Sequence, residues 1–214
     1  MRVLIINPNS TDSMTQSMVE AARVAEPDID VLGWTSHDGP PAIQGPEDGA
    51  AAVPPLLDLV GRVGAEIDCV IIGCFDDTGL DDARRIAPCP VIGIGQAAFH
   101  MSALRGMRFS VVTTLSVSVP VIEENIERYG MGGFLGRVHA SELPVLETED
   151  QSGSATGRIV QTSRDAIAEG NCDCIILGCG GMSHLAPGIQ RELAQPVIDG
   201  VTAAARLARA ISRD

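Results

Sequence analysis

Lysine is absent from this chain: all 15 basic residues are arginine. That absence removes the internal aldimine of a pyridoxal-phosphate enzyme, the Schiff-base lysine of an aldolase and the lysine of a P-loop. Pyridoxal phosphate is the usual electron sink for chemistry at an amino-acid α-carbon, so such chemistry would here need another device. Aromatic residues make up only 3% of the sequence, against 45% hydrophobic overall. The core must therefore be aliphatic, which favours α/β packing over an aromatic-rich β sandwich. Basic charge is also scarce. A formal net charge of −13 argues against a nucleic acid or an anionic membrane as partner. No apolar run approaches the roughly 20 residues that span a bilayer, and the opening MRVLIINPNS has no signal-peptide pattern. A cytoplasmic location with reduced thiols is expected for the six cysteines. CxxC spacing is missing as well, so no metal is expected.

What the sequence does hold is a repeat of itself. DCVIIGC at 68–74 matches DCIILGC at 173–179, an offset of 179 − 74 = 105. RVLIINPNS at 2–10 aligns with RFSVVTTLS at 108–116, and PVIGIGQAA at 90–98 with PVIDGVTAA at 196–204, both at an offset of 106. Three matches in one order at nearly one offset indicate two copies of a unit of about 105 residues.

Each copy reads as alternating strands and helices. Arg2–Ile6 and Phe109–Thr113, then Val70–Gly73 and Ile175–Gly178, are short β-branched runs suited to strands buried on both faces. Val91–Gly93 and Val197–Asp199 are further short strands. Helices are expected over about Ser13–Ala25, Leu80–Ile86, Gln96–Leu104, Pro187–Leu193 and Val201–Ser212, with one in VIEENIERYG stopping at Gly130. The segment from Asn7 to Thr11 offers N-cap side chains. The implied fold is α/β: two pseudo-symmetric Rossmann-like halves with parallel sheets and the active site in the cleft between them. The first half spans 1–98 and the second 99–200, and the terminal helix of about 201–214 is free to pack back on the first.

The duplication sorts the cysteines. Cys69 and Cys174 sit inside the strands and read as small core residues. Cys89 and Cys172 have no counterpart in the other copy. Cys74 and Cys179 each follow a glycine at a strand's carboxyl end, the edge at which such sheets bind ligands. A nearby helix N-terminus and loop amides are expected to lower their thiol pKa toward neutrality. Racemisation takes a proton from one face of a stereocentre and returns one to the other. One thiol from each half suits that task, because a tuned thiol works as acid or base near the ambient pH. Gly180 and Gly181 permit close backbone approach and are expected to hold a developing oxyanion.

At GCFDDTGLD (73–81) and LGCGGM (177–182) the chain resembles the Asp/Glu/hydantoin racemase superfamily, specifically its hydantoin racemase branch. NPNS at 7–10, GPPAIQG at 39–45, FSVVTTL at 109–115 and PVIDGV at 196–201 extend the resemblance over nearly the whole chain. It implies a fold of two Rossmann-like halves, no cofactor, and Cys74 and Cys179 as the catalytic pair. Free glutamate and aspartate racemases resemble one another in a CNTA-type loop after the first cysteine. Here Phe75 and Asp76 stand in that loop and would not welcome a substrate carboxylate. A neutral cyclic ureide fits better. Many hydantoin racemases resemble CFGDPGL at this point, where this chain has Asp76 and Thr78, so allantoin is a possible substrate beside other 5-substituted hydantoins.

Asn9, Ser10, Thr113 and Thr114, at matching strand ends, are candidate substrate contacts as well as turn formers. Ile43 is a candidate for the wall around the ring substituent. Asp76, Asp77, Asp81 and Asp82 read as a solvated loop and helix start rather than a metal site, and His100 and His184 as structural. The expected activity is cofactor-independent racemisation of a 5-substituted hydantoin. Allantoin racemisation, an aspartate- or glutamate-type racemase, and a maleate isomerase-like enzyme remain alternatives, as does a small-molecule binding module without catalysis. An arylmalonate-type decarboxylase is disfavoured because it keeps one of the two cysteines. A homo-oligomer is expected, although the apolar face of VTAAARLARAI would serve equally to close one half on the other.

Overall fold

The computed structural model describes residues 1–149 and 153–212; Arg213 and Asp214, at the end of the expected terminal helix, lie outside the described residues. The first half runs β1 (Arg2–Asn7), α1 (Asp12–Ala25), β2 (Asp30–Thr35), α2 (Pro46–Val60), β3 (Cys69–Ile72), α3 (Leu80–Ile86), β4 (Val91–Gly93) and α4 (Ile94–Leu104). The second runs β5 (Phe109–Thr113), α5 (Val119–Arg128), β6 (Leu135–Ala140), α6 (Ser154–Ala168), β7 (Cys174–Gly178), α7 (Ala186–Glu192), β8 (Val197–Asp199) and α8 (Gly200–Ile211). Every strand pairing is parallel, with order β2-β1-β3-β4 in one sheet and β6-β5-β7-β8 in the other. The two sheets share one topology. Edge strands β2 and β6 also obey the repeat, since 135 − 30 = 105.

The central strands form because their residues suit burial on both faces: β3, β5 and β7 are buried along their whole lengths. Helix α1 starts differently from expectation. Thr11, at the N-cap, makes no side-chain cap bond; instead Asn9 Oδ1 accepts from the Thr11 N–H at 3.0 Å and from Asn7 Nδ2 at 2.8 Å. An asparagine-built turn therefore leads into the helix. Gly130, with φ +72°, closes α5 in the left-handed region that glycine tolerates.

The halves are joined through their last helices. Helix α4 packs on α8 and also reaches β7 and β8 of the second sheet, while α8 packs on α1 and β3 of the first. The division at 98/99 falls inside α4. A Cβ on Gly200 would meet the Ile94 carbonyl oxygen at 2.6 Å, so the two helix N-termini abut as closely as a bare backbone allows. Phe99 sits in the core common to both halves with Phe75 and Phe109. Among the described residues no helix is long and apolar enough to cross a membrane.

Candidate active site

The chain emerging from each central strand at its carboxyl end meets its counterpart from the other half. Ile72 leads through Gly73 to Cys74, and Gly178 leads directly to Cys179. At Gly180 a Cβ would lie 3.0 Å from the Gly73 carbonyl oxygen and 3.0 Å from Met18 Sδ, so this glycine lets the two cysteine loops touch. Between them is a narrow cavity of about 30 Å³ lined by both thiols.

Of the residues expected to contact a substrate, Asn9, Ile43, Phe75, Asp76, Thr113, Thr114, Gly180 and Gly181 line this cavity. Ser10 does not; its N–H donates to the Pro40 carbonyl at 2.9 Å. Phe75 is buried, its ring packed edge-on against Phe99 at 5.4 Å within the core. Thr113 spends its hydroxyl proton on the Gly178 carbonyl at 3.0 Å. Asn9 is freer. Among the described residues its amide N–H reaches only Met14 Sδ, at 3.5 Å, a weak acceptor. Met14, Met18, Ser118 and Val145 complete the wall and were not anticipated from sequence. The methionines lie on the inner face of α1, where a periodic apolar residue reads as core, so no separate signal marks them.

Each sulfur has its own donors. Cys74 receives the N–H of Asp76 and the hydroxyl of Thr78, the latter at 3.3 Å; Cys179 receives the N–H groups of Gly181 and Met182. In both halves the amide two residues after the cysteine is aimed at the thiol. The Gly181 amide is therefore engaged by sulfur rather than left free for an oxyanion. These donors favour the thiolate, yet burial outweighs them. It raises the Cys74 thiol above its ordinary range, assisted by the charge of Asp76, and pushes Cys179 up to about 12. The expected drop toward neutrality is thus reversed, because desolvation disfavours the charged form of each half-buried thiol.

The acidic loop is also not the solvated one expected. Asp77 is buried, with a left-handed φ of 49°. Its carboxylate accepts from the Gly95 N–H at 3.0 Å, the Gln96 N–H at 2.8 Å and the Tyr129 hydroxyl at 2.8 Å. It thereby ties the Cys74 loop to the first turn of α4 and to the second half. Asn125 adds a bond from its side-chain amide to the Asp76 carbonyl at 2.8 Å. The second half carries a counterpart: Ser183, in the turn after Cys179, donates to Asp199 Oδ1 at 2.7 Å, while Oδ2 caps α8 through the Thr202 N–H at 2.8 Å. A carboxylate thus buckles each cysteine loop to the helix behind it.

Burial outweighs those three donors and raises the Asp77 carboxyl to about 6. A carboxyl raised on folding stabilises the native state fully below its unfolded pKa, and that contribution is lost as pH rises through the folded value. The Asp77→Asn variant removes the titration. The stability advantage of the parent over this variant is accordingly expected to shrink by about 2 kcal/mol between pH 4 and pH 7, or about 4–8 °C in Tm. Melting both proteins at the two pH values checks this; an advantage that widens with pH would contradict it.

Among the described residues no arginine or histidine lines the cavity, and Asp76 is its one ionisable side chain besides the thiols. Among the described residues no three His, Cys, Asp or Glu side chains converge as a metal would require. The arrangement provides two proton-transfer groups from opposite halves, hydrogen-bonding groups on Asn9, Thr114 and Ser118, and no counter-ion for an anion.

Comparison with known proteins agrees with this architecture. The family model described as Asp/Glu/Hydantoin racemase matches residues 3–208. A hydantoin racemase of Rhizobium meliloti is 41% identical over 213 residues, covering 99% of this chain and 88% of that protein. Among solved structures, an allantoin racemase from Klebsiella pneumoniae superposes with a TM-score of 0.93 at 38% identity, covering 98% of this chain and 86% of that one. The allantoin racemase from Pseudomonas fluorescens gives 0.93 at 34% identity, with 98% and 90% covered.

Proposed function

The chain belongs to the Asp/Glu/hydantoin racemase family and is a racemase; from that premise we propose that it inverts C5 of a 5-substituted hydantoin by proton transfer between Cys74 and Cys179. One observation carries the reading: two thiols, at equivalent strand ends of a duplicated fold, share one cavity with no cationic side chain among its described lining residues.

The chemistry follows from the placement. One cysteine, as thiolate, takes the C5 proton, and the electron pair released at carbon moves onto the C4 carbonyl oxygen. The other cysteine, as thiol, delivers its proton to the opposite face and is left as the thiolate. Burial suits this work, because a thiolate formed away from water is a stronger base than an exposed one, and a carbon acid needs one. Amide and hydroxyl donors on Asn9, Thr114 and Ser118 are available for the ring carbonyls.

Substrate class is read from charge. A free amino acid brings a carboxylate, which would enter a cavity without a cation and with Asp76 in its wall. A neutral ring brings N–H donors and carbonyl acceptors and avoids that penalty. Allantoin, a hydantoin bearing a ureido group at C5, is the second reading. It is supported by the hydroxyls of Thr114 and Ser118 and by similarity to allantoin racemases.

Single enantiomers of 5-substituted hydantoins, allantoin and aspartate incubated with the enzyme in D2O test the assignment. Optical rotation is expected to decay, with deuterium entering C5, for the hydantoins or allantoin and not for aspartate. Absence of exchange with every ureide would overturn it.

A further inference from the structure

Two half-buried thiols are not yet an acid–base pair. One must surrender a proton before carbon is attacked, and each turnover leaves the two with exchanged roles. Desolvation disfavours the thiolate of both, and among the described residues the cavity wall offers no histidine or arginine. Asp76 is the remaining candidate. Its backbone N–H is bonded to the Cys74 sulfur, and its charge acts on both thiols. It also lines the adjoining chamber of about 390 Å³ formed by Gly45, Val53, Thr78, Asp81, Glu124 and Arg128, among others. Asp76 therefore stands where the cavity meets the more open chamber.

Building on the racemase reading, we propose that Asp76 is the proton carrier of the site, taking the proton of either thiol and returning it to the other between turnovers. In the activating step an S–H bond breaks, its electron pair stays on sulfur, and an O–H bond forms on the Asp76 carboxylate. The cavity carries one negative charge before and after. When turnover leaves the second cysteine as thiolate, protonated Asp76 gives its proton to that sulfur and then takes the proton of the first. No other reactant is needed.

The carboxyl is suited to this exchange. Burial, and repulsion from Asp77, raise it to about 7, where it both holds and releases a proton at ambient pH. The charged and titratable groups around it are Cys74, Cys179 and Asp77, together with Asp81, Asp82, Glu124 and Arg128 across the chamber, where Arg128 is paired with Asp81.

Asp76→Asn tests the assignment, and the direction of the result separates a carrier from a bystander. A bystander anion only discourages thiolate formation, so its removal would speed alkylation of the cysteines. Loss of a carrier slows it. Alkylation of Cys74 and Cys179 by iodoacetamide at pH 8, followed by mass spectrometry, is expected to be about 10-fold slower or more in Asp76→Asn, with Asp76→Glu recovering most of the rate. In the racemase assay kcat is expected to fall about 10²-fold in both directions with KM little changed. The rise of kcat/KM that reaches a plateau above pH 7 in the parent should move upward and lose its plateau. Alkylation that is unchanged or faster in the variant would overturn the carrier role whatever the substrate proves to be. A parent enzyme inert toward every ureide, with slowed alkylation in Asp76→Asn, would instead overturn the substrate reading and leave the carrier standing.

Discussion

Replacing either Cys74 or Cys179 by serine is expected to lower racemisation by about 10³-fold or more, while leaving each variant one proton-transfer reaction that the other lacks. A serine hydroxyl is nearly the size of the thiol but far less acidic, so it neither forms the base nor readily donates to carbon. With Cys74→Ser, the enantiomer whose C5 hydrogen faces Cys179 is still deprotonated and exchanges with solvent deuterium without inverting. With Cys179→Ser, the mirror-image substrate does so. The asymmetry follows from the duplication, because the thiols come from opposite halves at 105 residues' separation, 179 − 74, and approach the cavity from opposite loops. Exchange and inversion are read separately, by mass spectrometry and polarimetry on each pure enantiomer. Retention of racemisation within about threefold in both variants would remove the cysteines from the mechanism. Exchange of the same enantiomer by both variants would place the two groups on one face of the ring, against the two-face arrangement.

The features behind that prediction were legible in the sequence for a physical reason. A parallel strand buried on both faces is an uninterrupted aliphatic run, and the duplication printed that run twice with a Gly-Cys at its end. Edge strands lack such a signature. DVLGWT and LGRVHA are only half buried, so their patterning is diluted, and neither was anticipated. Helix α2 was hidden by Pro54 and Pro55 in its interior, residues that locally read as a break; burial of Ala52, Leu56 and Val60 holds the segment helical nonetheless. The site divided along the same line. Positions fixed by the repeat could be located, whereas Met14, Met18 and Ser118 reach the cavity, and Thr78 the Cys74 sulfur, through tertiary packing that no spacing records. The thiol environment was misjudged because the loop amides are visible as sequence position, while the desolvation that outweighs them arises only in three dimensions.

A small aromatic group joins Phe75, the residue after Cys74, to the core, and Phe99→Ala is expected to cost about 3–5 kcal/mol of stability. With aromatics at 3% of the chain, few rings are available to fill space where the halves meet. Phe99, fully buried on α4, lies near-parallel to Phe109 at the start of β5 with centroids 5.4 Å apart, and takes the Phe75 ring edge-on, also at 5.4 Å. It thus links the residue next to Cys74 to the first strand of the other half. Alanine there leaves a cavity bordered by elements of both halves, which cannot collapse without moving one half against the other. The loss should appear as a fall in Tm of about 6–20 °C. It should also appear in function, because a Phe75 ring without its partner loosens the cysteine loop, raising water access to Cys74 more than to Cys179. Faster iodoacetamide labelling of Cys74 relative to Cys179, at a temperature where the variant is still folded, is the accompanying expectation. Phe99→Leu, which refills most of the volume, should recover much of both properties. A loss below about 1 kcal/mol in Phe99→Ala would mean the halves are held mainly by other contacts, chief among them the close approach of α4 and α8 at Gly200, where the added methyl of Gly200→Ala would then prove the more damaging change.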